Sequence, residues 1–160
     1  MPNRPKDIVV EIKVRLQINT SQERVWDVIS NIDNDSNFWR GITSIRNLSR
    51  DGNVTTREIV LGTNIRCVQR LVIYPKEEIS IIWIKGVIAG TKAILLTPLG
   101  QATLLEIQMN YRFSDISNLA SKRLAALFQD EAELAVDLIK KQSEWNENNV
   151  SAEIKKSWAM

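Results

Sequence analysis

Residues 97–140 read TPLGQATLLEIQMNYRFSDISNLASKRLAALFQDEAELAVDLIK. A Pro-led, Gly-containing turn opens the stretch, the punctuation expected between paired strands. From Thr103 the side chains alternate: Thr103, Leu105, Ile107, Met109, Tyr111 and Phe113 take one face, and Glu106, Gln108, Asn110 and Arg112 the other. That period of two is a half-buried strand. After Ser114 the period changes to that of a long helix, running to about residue 146. Leu124, Leu127, Phe128, Ala135, Leu138 and Ile139 form its apolar stripe, and Glu131 falls near the middle of it, whereas Asp130 and Glu133 point away. A carboxylate facing a core must be paired, neutralised or beside water. Either Glu131 meets a cross-strand Arg or Lys at the sheet edge, or the helix covers a cavity. We adopt the cavity.

Upstream, VEIKVRLQIN (10–19) alternates cleanly, with Val10, Ile12, Val14, Leu16 and Ile18 on one face. Thr20 and Glu23 then make a capping-box pattern, and Val25, Val28, Ile29 and Ile32 recur at helical spacing until DNDSN (33–37) ends the segment. From residue 42 the chain reads as strands at about 42–49, 54–61, 64–74, 78–85, 90–97 and 102–113, joined by short turns at Asp51-Gly52, LGTN, YPKE and TPLGQ. Such turns imply an antiparallel meander. The expected class is α+β: a strongly curved seven-stranded antiparallel sheet wrapped around a long C-terminal helix, with a short helical segment after the first strand. No repeat or linker interrupts it, so residues 1–146 form one domain and 147–160 a polar, frayed tail in which Trp158 is suited to dock.

Composition narrows the function. With 160 residues, 44% hydrophobic content and a net charge of +2, both signs of charge are interspersed. There is no Lys/Arg tract and no zinc-finger or RNA-binding signature, so nucleic acid is not expected. Single Cys67 rules out an internal disulfide and fits a reducing compartment. The N-terminal MPNRPKDIVV has no apolar signal core, and the most apolar stretch, ISIIWIKGVIAG (79–90), is short and broken by Lys85, so no membrane span and a cytoplasmic location are expected. The chain has no histidine, which removes Ser-His-Asp and Cys-His nucleophiles and every histidine-bearing metal site. Neither a metal nor a cofactor is expected, and oligomeric state is left open.

Two segments then carry a resemblance. QERVWDVISNIDNDSNFW (22–39) looks like the first helix, and LLTPLGQATLLEIQMNYRF (95–113) like the closing hairpin, of the START-related superfamily that includes polyketide cyclase/dehydrase-like and coenzyme-Q-binding proteins. The resemblance covers about residues 8–145 and implies their helix-grip fold, with a hydrophobic ligand between sheet and helix. It implies no shared catalytic residue. Members that hold a non-haem iron do so through histidine, so that branch is excluded.

Turn geometry assigns the sheet faces. With Asp51-Gly52 and Gly62-Thr63 as two-residue loops, Arg46, Arg57, Arg66 and Arg70 share one face, and repulsion between like charges makes that face the solvent side. Ile45, Val54, Thr56, Glu58, Val60, Ile65, Cys67, Gln69, Leu71 and Ile73 then face inward, while strand 78–85 is apolar on both faces and stays unphased. The expected cavity lining is Thr56, Glu58, Cys67, Gln69, Leu71, Ile107, Met109, Tyr111, Leu124, Leu127, Phe128, Glu131 and Ala135. An apolar lining with sparse polar groups suits a hydrophobic small molecule: a lipid, an isoprenoid or a polyketide-like ring. Three functions compete. The first is a carrier or sensor of such a ligand. The second is a cyclase or dehydratase in which Glu131 or Glu58 removes a proton and Tyr111 steadies the enolate. The third is an interaction module docking an acidic partner on Arg46, Arg57, Arg66 and Arg70. Each residue also has a plainer reading: Cys67 as a small buried hydrophobe, Tyr111 as core packing, Trp26 and Trp39 as anchors of the first helical segment, and the arginines as a solvated face. The carrier is the reading preferred.

Overall fold

The computed structural model of the chain describes residues 8–113 and 117–145; the tail with Trp158 lies outside them. Strand β1 (Ile8–Ile18) is followed by helix α1 (Gln22–Ile29) and a 3-10 helix (Ile32–Asn37). Strands β2 (Ile42–Asp51), β3 (Val54–Leu61), β4 (Ile65–Tyr74), β5 (Glu78–Lys85), β6 (Ala89–Leu99) and β7 (Ala102–Phe113) come next, and helix α2 (Asn118–Glu144) ends the order. The sheet is seven-stranded and antiparallel, with spatial order β1-β7-β6-β5-β4-β3-β2. The expected architecture is therefore the observed one.

Alternation drives it. On β7, Thr103, Leu105, Ile107, Met109, Tyr111 and Phe113 are all buried, opposite Val10, Ile12 and Ile18 of β1. Strand β5, ambiguous in sequence, buries Ile79, Ile81 and Trp83 and leaves Ile82 and Ile84 exposed. Helix α2 buries Ala132, Ala135, Val136 and Ile139, and two small residues in that set let the backbone come close to the sheet. No described helix is long and apolar enough to cross a membrane.

The helix ends are tied by side chains. The N-cap of α1 is Ser21, not Thr20: its hydroxyl accepts from the Arg24 amide at 3.2 Å. Glu23 pairs instead with Lys76 at 3.0 Å. Arg24 donates to the carbonyls of Ser143, Gln142 and Trp145, so a cation meets the orphan acceptors at the negative end of α2.

One strand is turned over relative to expectation. The β3–β4 loop has three residues, since Leu61 pairs with Ile65, and the β2–β3 loop is Gly52-Asn53 with a bulge between Asn47 and Ser49. Each one-residue slip exchanges the faces of a strand. Strand β3 therefore buries Thr55, Arg57 and Ile59, and sends Thr56, Glu58 and Val60 to the outer face. Glu58 sits there between Arg66 at 3.0 Å and Arg46 at 3.4 Å. The expected inward Glu58 and Thr56, and the expected outward Arg57, are thus corrected, and an arginine docking face loses Arg57 altogether. Ile65 lies at the open end of its strand and is exposed, as is Val54, whereas Cys67, Gln69 and Leu71 do face inward.

Candidate functional site

Under α2 the sheet carries a set of charges that a purely structural core would lack. Arg57 is 1% exposed and spends its guanidinium on three partners: Asp35 at 2.8 Å, the Ile32 carbonyl at 2.9 Å and the Gln69 side-chain carbonyl at 3.0 Å. Asp35 comes from the 3-10 helix, whose tight winding leaves its backbone carbonyl to accept from the Phe38 and Trp39 amides. Burial raises the Asp35 pKa, and the adjacent Arg57 opposes that rise. A buried pair of this kind is costly to form and costlier to break.

Beside it, Lys92 of β6 is 5% exposed, with its ammonium 3.0 Å from the centroid of the Trp39 indole. Among the described residues it makes no hydrogen bond and no ion pair. Tyr111 stands next along the face, its ring edge-on to Trp83 at 5.5 Å and to Phe128 at 5.1 Å. Burial, assisted by the charge of Glu131, pushes the Tyr111 phenol well above its ordinary pKa, although the nearby Trp83 indole opposes this. The Trp83 N–H is buried and reaches no acceptor at ordinary hydrogen-bond geometry, so the indole acts on the phenol from a distance too long or too oblique to count as a bond.

Glu131 closes the set from α2. Its carboxylate accepts the Gly41 amide at 3.1 Å and has no ion pair among the described residues. A side chain at position 41 would put a Cβ 3.0 Å from the Glu131 oxygen, so glycine there lets the carboxylate reach the backbone. Trp39, Ile42, Leu61, Gln69, Trp83, Lys92, Met109, Tyr111, Phe128 and Glu131 enclose a cavity of about 20 Å³, room for one water-sized group. Outside it lies an open groove of about 720 Å³ between the β3–β4 turn, the segment around Val87 and Ile88, and α2. Leu61, Phe128 and Glu131 line both spaces and form the partition between them.

Of the expected lining, the structure brings Gln69, Met109, Tyr111, Phe128 and Glu131 to the inner cavity, and Leu124 and Leu127 to the groove with Phe128 and Glu131. Leu127 is 64% exposed and forms the groove rim, not the core. Cys67, Leu71, Ile107 and Ala135 are packed in the core and line neither space. Burial raises the Cys67 pKa, which suits a small hydrophobe and not a nucleophile.

Comparison with known proteins gives no matching family model and no matching curated sequence. Solved structures do match. The ZhuI aromatase/cyclase from Streptomyces sp. R1128 superposes with a TM-score of 0.77 at 10% identity, covering 86% of this chain and 94% of that one. TTHA0849 from Thermus thermophilus gives 0.73 at 16% identity, covering 83% and 96%. The di-domain aromatase/cyclase StfQ of the steffimycin pathway gives 0.73 at 14%, covering 86% of this chain and 52% of that one. The chain has the helix-grip fold of polyketide cyclase-like proteins.

Within this helix-grip protein, sequence reasoning missed Lys92, Asp35, Arg57 and Trp39 as parts of the site. Lys92 had a signal: it alternates in phase with Ile94 and Leu96, but Ala93 and Leu95 on the other face obscure it. Asp35 had none, since DNDSN looks like a solvated turn. Lys92 also sets a pH dependence. Burial, the largest cause, lowers its pKa to about 7; Glu131 and Asp35 oppose that shift and Arg57 adds to it. Folding therefore releases protons between about pH 7 and the unfolded pKa of about 10.4, so stability rises with pH across that window and is lost as pH falls toward 7. Chemical denaturation across pH 6–10 is expected to show wild type gaining on Lys92→Met by up to about 1.4 kcal/mol per pH unit. A pH-independent difference would mean that Lys92 keeps an ordinary pKa.

Proposed function

We propose that the chain binds a small hydrophobic molecule carrying a polar group, with its apolar body in the outer groove and its polar end at the partition of Leu61, Phe128 and Glu131. The observation that carries this is an apolar groove of about 720 Å³ that shares Leu61, Phe128 and Glu131 as a common wall with an inner cavity bearing Lys92 and Tyr111. Its size falls within the range of small-molecule pockets, and its lining of Leu61, Ile65, Val87, Ile88, Phe113 and Leu124 would supply affinity without direction. A lipid, an isoprenoid or a polyketide-like ring fits that description.

The neutral fluorophore N-phenyl-1-naphthylamine tests it. Saturable one-to-one binding is expected, weakened about tenfold or more by Leu127→Asp, which puts a charge on the apolar rim where the native side chain is already exposed. Binding that does not saturate, or that ignores Leu127→Asp, would remove this reading. A second reading, turnover of the cyclase kind, is favoured by the convergence of Tyr111 and Glu131 on one cavity. It predicts that Glu131→Gln keeps fluorophore binding and loses turnover.

A further inference from the structure

We propose that Lys92 forms a reversible imine with a carbonyl group carried by the hydrophobic ligand, an aldehyde or ketone whose apolar body occupies the groove. The inference rests on the binding reading above and names its ligand class. Lysine is the residue whose amine becomes a nucleophile when its charge is made unfavourable, and an apolar pocket beside another cation is the setting that does so. Lys92 is almost fully buried and has Arg57 within electrostatic reach, and burial outweighs the opposing pull of Glu131 and Asp35. Its nitrogen is free of hydrogen bonds and ion pairs among the described residues and lies over Trp39, and Lys92 is one of the residues that line the cavity. A lysine kept only for stability would be expected to bond Glu131 or Asp35 directly, and it does not. Those two carboxylates keep their own partners, Gly41 and Arg57.

The step balances without any co-reactant. The Lys92 amine lone pair adds to the carbonyl carbon, the C=O pair moves to oxygen, and one N–H proton is carried to that oxygen to give a carbinolamine. A second N–H proton leaves with the hydroxyl as water while the C=N bond forms. Glu131, which lines both the cavity and the groove, can take and return these protons. Protonation of the imine from solvent regenerates one positive charge at the nitrogen. The nitrogen then carries the same charge as a lysine ammonium, so the electrostatic balance around it is unchanged.

Incubating the folded protein at pH 7 with 1-naphthaldehyde and sodium cyanoborohydride, followed by peptide mass spectrometry, tests it. Lys92 is expected to carry the reduced adduct about tenfold or more above exposed Lys76, Lys85, Lys122 or Lys141, none of which lines the cavity or the groove. Lys92→Arg and Lys92→Met, checked by thermal melting, should lose that adduct. Adducts spread evenly over surface lysines, while naphthaldehyde still displaces N-phenyl-1-naphthylamine, would overturn the imine and leave groove binding standing. Failure of both compounds to bind would overturn groove binding, and the imine with it.

Discussion

Asp35→Ala is expected to lower unfolding free energy by about 3–5 kcal/mol, because it strands a guanidinium that has almost no water to turn to. Arg57 would keep the Ile32 carbonyl and Gln69 but lose its only carboxylate among the described residues. The penalty is that of an unpaired buried charge, which exceeds whatever the pair contributes when intact. Two comparisons isolate it in urea titrations. Asp33→Ala breaks a pair with Arg50 in which both side chains are about half exposed, and should cost no more than about 1 kcal/mol. The double replacement Asp35→Ala with Arg57→Met should recover much of the loss, since it removes the stranded charge itself. Equal effects for Asp33→Ala and Asp35→Ala would show that water reaches Arg57 freely.

Gly90→Ala should be as damaging, for a reason of backbone geometry. Gly90 has φ +127, and a Cβ there would lie 2.0 Å from the Asn110 carbonyl oxygen. That atom belongs to the backbone of β7, so no side-chain rotation relieves the clash. Gly90 also pairs with Trp83 on one side and Tyr111 on the other. Those two residues are two strand spacings apart, about 9–10 Å at the backbone, and the missing side chain leaves the space in which their rings meet edge to face. We expect a loss of about 4 kcal/mol or more, or failure to fold, against about 1–2 kcal/mol for Gly52→Ala, where φ is +58 and nothing lies within 4 Å. Thermal melts of the two variants decide it; near-equal effects would mean that β6 can draw away from β7 cheaply.

The architecture was legible because it depends on period, and period survives small errors. A seven-strand order with clean alternation on β1 and β7 and a helical stripe on α2 admits few arrangements, whichever residue begins each strand. The site depends on phase, and phase does not survive. Strand β3 shows this: one extra loop residue after Leu61, and a bulge near Leu48, exchanged Glu58 for Arg57 on the inner face. The rule against clustered arginines could not detect the error, because Arg57 is buried singly and its counter-charge arrives from a segment that pairs with no strand. Glu131 was legible, since long runs of helix on either side fix its angle. Even so, its hydrogen bond to the Gly41 amide could not be foreseen, because it is made across the space between a helix and a loop.

Among the described strands, β1 has one partner, β7, and that has a temporal consequence. Strands β3 to β7 each pair with the strand made just before them, through a short turn, and can assemble in sequence as the chain leaves the ribosome. The first strand cannot join them. It must remain open, with Val10, Ile12 and Ile18 uncovered, until Phe113 has been synthesised. Its opposite face, Glu11, Lys13, Arg15 and Gln17, is the kind of charged edge that discourages pairing with a stranger during that interval. The earliest strand to be translated is therefore the last to enter the sheet.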